Sequence, residues 1–103
     1  MDDPEVYMIG IRGCEPCEEM KTELASDRTK SALKTKFGKP DVKIIYPEDG
    51  DTNESGSLAT DICYSLAIKT APTLVVKRGE KVCTVNESLE ETSCGVLKVA
   101  PER

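Results

Sequence analysis

Two short apolar runs, EVYMIGI at residues 5–11 and VKIIY at 42–46, are separated by about thirty residues with helical character. The first run is apolar on both alternating faces apart from its ends, which suits a strand covered by helices on both sides. A strand, a long helical connection and a second strand predict a right-handed crossover with parallel pairing. The connection opens at the cysteines of GCEPCEEM, residues 13–20. Pro16 falls in the first helical turn, where it costs no hydrogen bond, and Glu15, Glu18 and Glu19 complement the positive end of the helix dipole. Cys17, Met20 and Leu24 recur at helical spacing as a narrow core stripe. From Leu24 to Leu33 is nine steps of about 100°, half a turn out of phase. A break near SDRT (26–29) is therefore expected, with a second helical piece carrying Leu33 and Phe37.

The later half supplies the rest of the sheet. PEDGDTNESGS, residues 47–57, is expected to be a surface loop. Asp49, Asp51 and Asn53 fall at alternate positions there, but Glu54 and Thr60 stand where a calcium loop needs glycine and a bidentate glutamate. Ala59, Ile62, Cys63, Leu66 and Ala67 follow the i, i+3, i+4, i+7, i+8 template of a buried helix face. Cys63 then reads as a small buried hydrophobe. A third strand is expected at about Thr73–Val76, then a KRGE turn and an antiparallel fourth strand, KVCTV. Ser88–Glu91 has capping-box spacing and predicts a final helix, weakened by about 1 kcal/mol at Gly95. The sum is one α/β domain over residues 1–103, without repeats or a linker.

Composition narrows what such a domain can do. With 38% hydrophobic and 32% charged residues, the 103-residue chain suits a soluble globular protein. Fourteen basic against nineteen acidic residues give a net charge of -5, which disfavours nucleic acid and anionic membrane surfaces as partners. Histidine is absent, so histidine catalysis and histidine-liganded metal are excluded. The first residues lack a basic segment followed by an apolar one, and no apolar stretch approaches the length of a membrane span. Five cysteines cannot all pair within one chain, so a reducing compartment is expected, with cytoplasm the default and a viral or organellar origin left open.

Cys14-Glu15-Pro16-Cys17 leaves the first strand at the carboxyl edge of the sheet, where sites in open α/β folds lie. Free amides and the dipole at a helix N-terminus favour a thiolate, the nucleophile of disulfide exchange. Cys14, more exposed and nearer those amides, is expected to attack; Cys17, one turn inside, is expected to resolve. Two other uses are weaker. Structural zinc needs four ligands, and the remaining cysteines are isolated. A staple across so short a loop constrains little of the unfolded chain.

Together with IKTAPTLVV (68–76), the motif resembles the thioredoxin superfamily in its short, glutaredoxin-sized form. A Thr-Ala-Pro-Thr segment about 55 residues after Cys17, ahead of an apolar strand, carries most of the resemblance. The family implies a thioredoxin fold: a four-stranded mixed sheet in the order 2-1-3-4 with helices on both faces. It implies a cis Ala71–Pro72 bond, with Pro72 against the two cysteines and Thr70 and Ala71 beside a bound client. The activity implied is protein-disulfide reduction in a monomer, with a redox-active Cys14–Cys17 disulfide and no tightly bound cofactor. Partners would be disulfide-containing clients and an electron source, either a reductase or glutathione. Proline before the second cysteine is thioredoxin-like, while Gly13 stands where that family carries tryptophan. Arg12 and Lys69 are placed like family residues that hold glutathione carboxylates, and equally read as solvated surface charges. Where glutaredoxins carry a diglycine, Cys83-Thr84 stand here, with Asn86 and Glu87 nearby, which disfavours the tripeptide. A glutathione-dependent glutaredoxin, an iron–sulfur carrier and an interaction module that has lost redox turnover remain as alternatives. Cys83 and Cys94 are expected to be buried thiols, a regulatory disulfide between them being the lesser reading. Glu15, Glu18 and Glu19 oppose the thiolate and suggest a potential nearer about -270 mV than the roughly -200 to -230 mV of glutaredoxins.

Overall fold

Four of the five residues of the first strand, β1 (Glu5–Ile9), are buried, because alternate side chains meet helices on opposite sides of the sheet. The structure is a computed structural model that describes residues 3–101. β1 pairs in parallel with β2 (Val42–Ile45), Val6 opposite Val42 and Ile9 opposite Ile45. On its other side it pairs antiparallel with β3 (Thr73–Arg78), Ile9 opposite Thr73. β4 (Lys81–Val85) and β5 (Glu91–Val96) follow, giving a mixed sheet in the order β2-β1-β3-β4-β5.

The crossover between β1 and β2 is made by two helices, α1 (Glu15–Leu24) and α2 (Asp27–Phe37). The break falls where the phase of the apolar stripe requires it. Ser26 caps α2 by accepting the Thr29 amide at 3.3 Å, and the restart returns Leu33 and Phe37 to the face of Leu24. These residues and Cys17 pack on Val6, Met8, Leu74 and Val76 of the sheet. Emptying such a site, as Leu33→Ala would, typically costs about 2–5 kcal/mol. The opposite face carries α3 (Glu54–Leu66), whose Ala59 and Ile62 bury against Tyr7, Ile9, Val75 and Val82.

Four expectations are corrected, the last of them at the cysteines of β4 and β5. The segment expected as a loop at 47–57 is a short 3-10 stretch, Pro47–Thr52, followed directly by α3, whose cap Asn53 accepts the Gly56 amide at 2.7 Å. Ala67, assigned to the buried helix face, is instead the exposed left-handed cap of α3 at φ 53°. Among the described residues no helix follows β4: the sheet has five strands rather than four, and Ser88–Glu90 lie in a turn leading into β5. Asn86 decides that outcome. Its side-chain oxygen accepts the amides of Ser88 and Glu90 at 2.9 and 3.0 Å, diverting the donors a helix start would use. Thr92, Ser93 and Gly95 are poor helix residues and follow the turn into a strand.

The same hairpin sets Cys83 directly opposite Cys94, and the two are joined in a disulfide with their Cα atoms 4.0 Å apart. The expected buried thiols are therefore corrected: Cys83 is buried, Cys94 is exposed and neither is free. Among the described residues no helix is long and apolar enough to cross a membrane.

Candidate functional site

The chain leaves β1 through Gly10 and Ile11 and turns at Gly13, whose φ of 78° is a conformation that L side chains rarely adopt. The turn is closed by the Cys14 amide donating to the Ile11 carbonyl at 3.2 Å. It delivers Cys14 in extended conformation as the N-cap of α1, with the Cys14 carbonyl accepting the first helical hydrogen bond, from Glu18. The cap is the sulfur itself: the Cys17 amide donates to Cys14 Sγ at 3.3 Å. A sulfur in that position faces the unpaired amides and positive end of a helix.

Cys14 is half-buried, whereas Cys17 is fully enclosed in the core beneath the sheet. Burial, reinforced by a hydrogen bond to the Cys14 sulfur, pushes the Cys17 thiol pKa up. The pair thus differs in kind. One sulfur is an accessible acceptor at the helix mouth, and the other is a protonated donor one turn inside.

The segment entering β3 reaches the same apolar cluster. Ala71 rests on the same core cluster as Cys14 and Cys17, and the Ala71–Pro72 bond is cis, as the resemblance implies. Thr73 ties the loop down by donating its hydroxyl to the Thr70 carbonyl at 2.7 Å. Thr70 is exposed and Pro72 half-buried.

The two candidate cations fare differently. Arg12 pairs with Asp49, takes the Glu48 carboxylate on its backbone amide, and lies over the Tyr46 ring 4.1 Å from its centre. The guanidinium beside Asp49 holds that carboxyl below its usual range. Lys69 is exposed and makes no ion pair among the described residues. Of the three acids near the motif, Glu18 is matched by Lys21 at 2.8 Å. Hydrogen bonds to Glu18 and Tyr46 in turn raise the Lys21 pKa. Less negative charge therefore bears on Cys14 than the sequence suggests.

Sequence reasoning missed the Tyr46 ring between Arg12 and Lys21, and it missed a cleft along α1 that involves Leu89. Helical spacing could have placed Lys21 beside Glu18, but no local signal ties Tyr46 to residue 12. No family model, no curated protein and no solved structure matches this chain.

Proposed function

We propose that this chain is a dithiol protein-disulfide reductase built on a variant of the thioredoxin fold, with β5 in place of the last helix. The observation that carries the reading is the Cys17 amide on Cys14 Sγ, which joins a half-exposed sulfur at a helix mouth to a buried thiol three residues on. Support for the fold comes from the order β2-β1-β3-β4, its parallel and antiparallel pairings, and the Ala71–Pro72 segment at the same cluster.

The exchange runs in two steps. The Cys14 thiolate attacks one sulfur of a client disulfide, forming a mixed disulfide and expelling the other client sulfur as a thiolate. That thiolate takes the Cys17 proton. Cys17 then attacks Cys14 Sγ and expels the second client sulfur, leaving an oxidised Cys14–Cys17 pair and a client reduced by two electrons. The raised Cys17 pKa keeps it protonated until a departing sulfur arrives, so it does not compete with Cys14 for the client. Ala71 would pair its backbone with the client chain. A reductase or two glutathione molecules would return the two electrons.

Protein clients are favoured over glutathione because Arg12 is already committed to Asp49 and Tyr46, which leaves Lys69 as the one unmatched cation of the two expected. The test is insulin reduction together with the choice of donor. Cys17→Ser should accumulate a Cys14 mixed disulfide, and the oxidised wild type should be re-reduced by thioredoxin reductase with NADPH faster than by glutathione. Undiminished turnover in Cys14→Ser would sink the assignment.

A further inference from the structure

Because β4 is followed by a turn and a strand, the flank of α1 beside that turn is open as a cleft of about 670 Å³. That volume lies within the range of ligand-binding clefts. One wall is α1 from Pro16, inside the cysteine motif, to Leu24; the facing wall is the β4–β5 turn. Met20, Leu24, Leu74 and Leu89 make its apolar lining. Leu89 is half-buried against the core cluster and held at φ 60°, a conformation unusual for any residue but glycine or asparagine. Asn86 imposes it, so the turn carries backbone strain while presenting an apolar side chain to the cleft.

The rim is charged with one sign in excess. Glu19, Glu23 and Glu87 face a single cation, Arg28. Glu19 and Glu87 make no ion pair among the described residues, and the Glu23 carboxylate accepts a 3.4 Å hydrogen bond from the Thr29 hydroxyl. An occupant that complements this cleft has an apolar side chain for the lining and cations for the rim. The stretch of α1 from Pro16 to Leu24 is about 12 Å long. An extended peptide covers that length in roughly four residues.

Resting on the disulfide-exchange reading above, we propose that the cleft is the subsite that selects clients. It takes an extended segment with a Leu-, Met- or Phe-type side chain beside Lys or Arg, within about four residues of the client cysteine. The cysteine sits at Cys14, and the chain runs down α1 with its apolar anchor between Met20 and Leu89.

The test separates binding from chemistry. A short linear peptide carrying Leu-Lys near a serine in place of its cysteine is titrated into the oxidised wild type and followed by NMR. Shifts should concentrate at Met20, Leu24 and Leu89. Replacing the peptide's leucine with alanine should weaken binding roughly tenfold or more. Glu23→Lys/Glu87→Lys should weaken the Leu-Lys peptide about three- to tenfold and favour a Leu-Glu one. Equal affinity for the Lys and Glu peptides, shifts confined elsewhere, or a second copy of this chain filling the cleft as concentration rises would each overturn the proposal. Turnover of a small aromatic disulfide reports on the redox reading alone. If that turnover is absent the reductase reading fails while peptide binding still judges the cleft; if it is present without peptide selectivity, only the cleft fails.

Discussion

The chain holds two cysteine pairs, and the local geometry makes them chemically unlike. Cys14 and Cys17 are one helical turn apart, tied through an amide, and are free thiols; Cys83 and Cys94 sit opposite on neighbouring strands and are bonded to each other. The first pair straddles the boundary between solvent and core at the carboxyl end of β1. The second clamps the edge strand to the sheet near the far end of β1, since Cys83 is level with Val76 and hence with Val6. Sulfur at a helix mouth can exchange; sulfur locked across a ladder mainly restrains. On the proposed reductase reading, turnover belongs to the first pair and stability to the second.

The largest effect that could break this division is on activity. Cys14→Ser should abolish insulin reduction, whereas Cys94→Ala should leave the rate within about twofold, because Cys94 is remote from the site. Cys14→Ser should also unfold no more easily than the wild type, since serine is a good helix cap and can replace the sulfur as acceptor. Loss of stability comparable to the loss of turnover would show that Cys14 is structural.

The second effect falls on the other pair. Cys83 and Cys94 are 11 residues apart. Closing a loop of that length removes denatured-chain entropy worth about 3 kcal/mol. Cys94→Ala should lower the urea unfolding free energy by about that amount. A change under about 1 kcal/mol would mean that the ladder alone holds β5.

The two regions were also unequally legible in the sequence. The crossover, the break before α2 and the cysteines at a helix mouth could be read because each depends on residues near one another: periodicity, a capping serine, a first-turn proline. The register of β5 could not. Ser88-Leu89-Glu90-Glu91 satisfies a helix-start pattern, and Asn86 overrides it from two residues upstream by taking the Ser88 and Glu90 amides. The pairing also depends on an irregularity: Val85 is opposite Glu91, and only a register shift between Cys83 and Val85 brings Cys94 rather than Ser93 opposite Cys83. Arg12 shows a different limit. Its partners Asp49 and Tyr46 lie more than thirty residues away, so its occupancy depends on tertiary placement.

Asn86 offers a smaller effect on the same contrast. Asn86→Ala releases two backbone amides and should cost about 1–2 kcal/mol, with Asn86→Asp, which keeps an acceptor, recovering most of it. Denaturant unfolding of the three proteins checks this. If the alanine variant matches the wild type, then the disulfide rather than the turn fixes the register.

The smallest effect separates the pairs by titration. Burial raises the Cys17 pKa above its ordinary 9.0 in the folded reduced protein. Below pH 9 both folded and unfolded chains keep that proton, so its contribution to stability is complete. Above pH 9 the unfolded chain releases it while the folded chain does not, and stability falls until the folded thiol ionises too. The slope is at most about 1.4 kcal/mol per pH unit for this one proton. Cys63, also raised by burial, and Tyr7, pushed up to about 12 by burial and Glu5, add slopes of the same sign. Comparing reduced wild type with reduced Cys17→Ala isolates the share of Cys17, and oxidising Cys14 to Cys17 should remove the same share. Cys83 and Cys94 contribute no slope while they stay bonded to each other. Identical alkaline profiles for the oxidised and reduced wild type would mean that Cys17 is not enclosed as the core requires, and a resolving thiol held protonated in reserve would no longer be tenable.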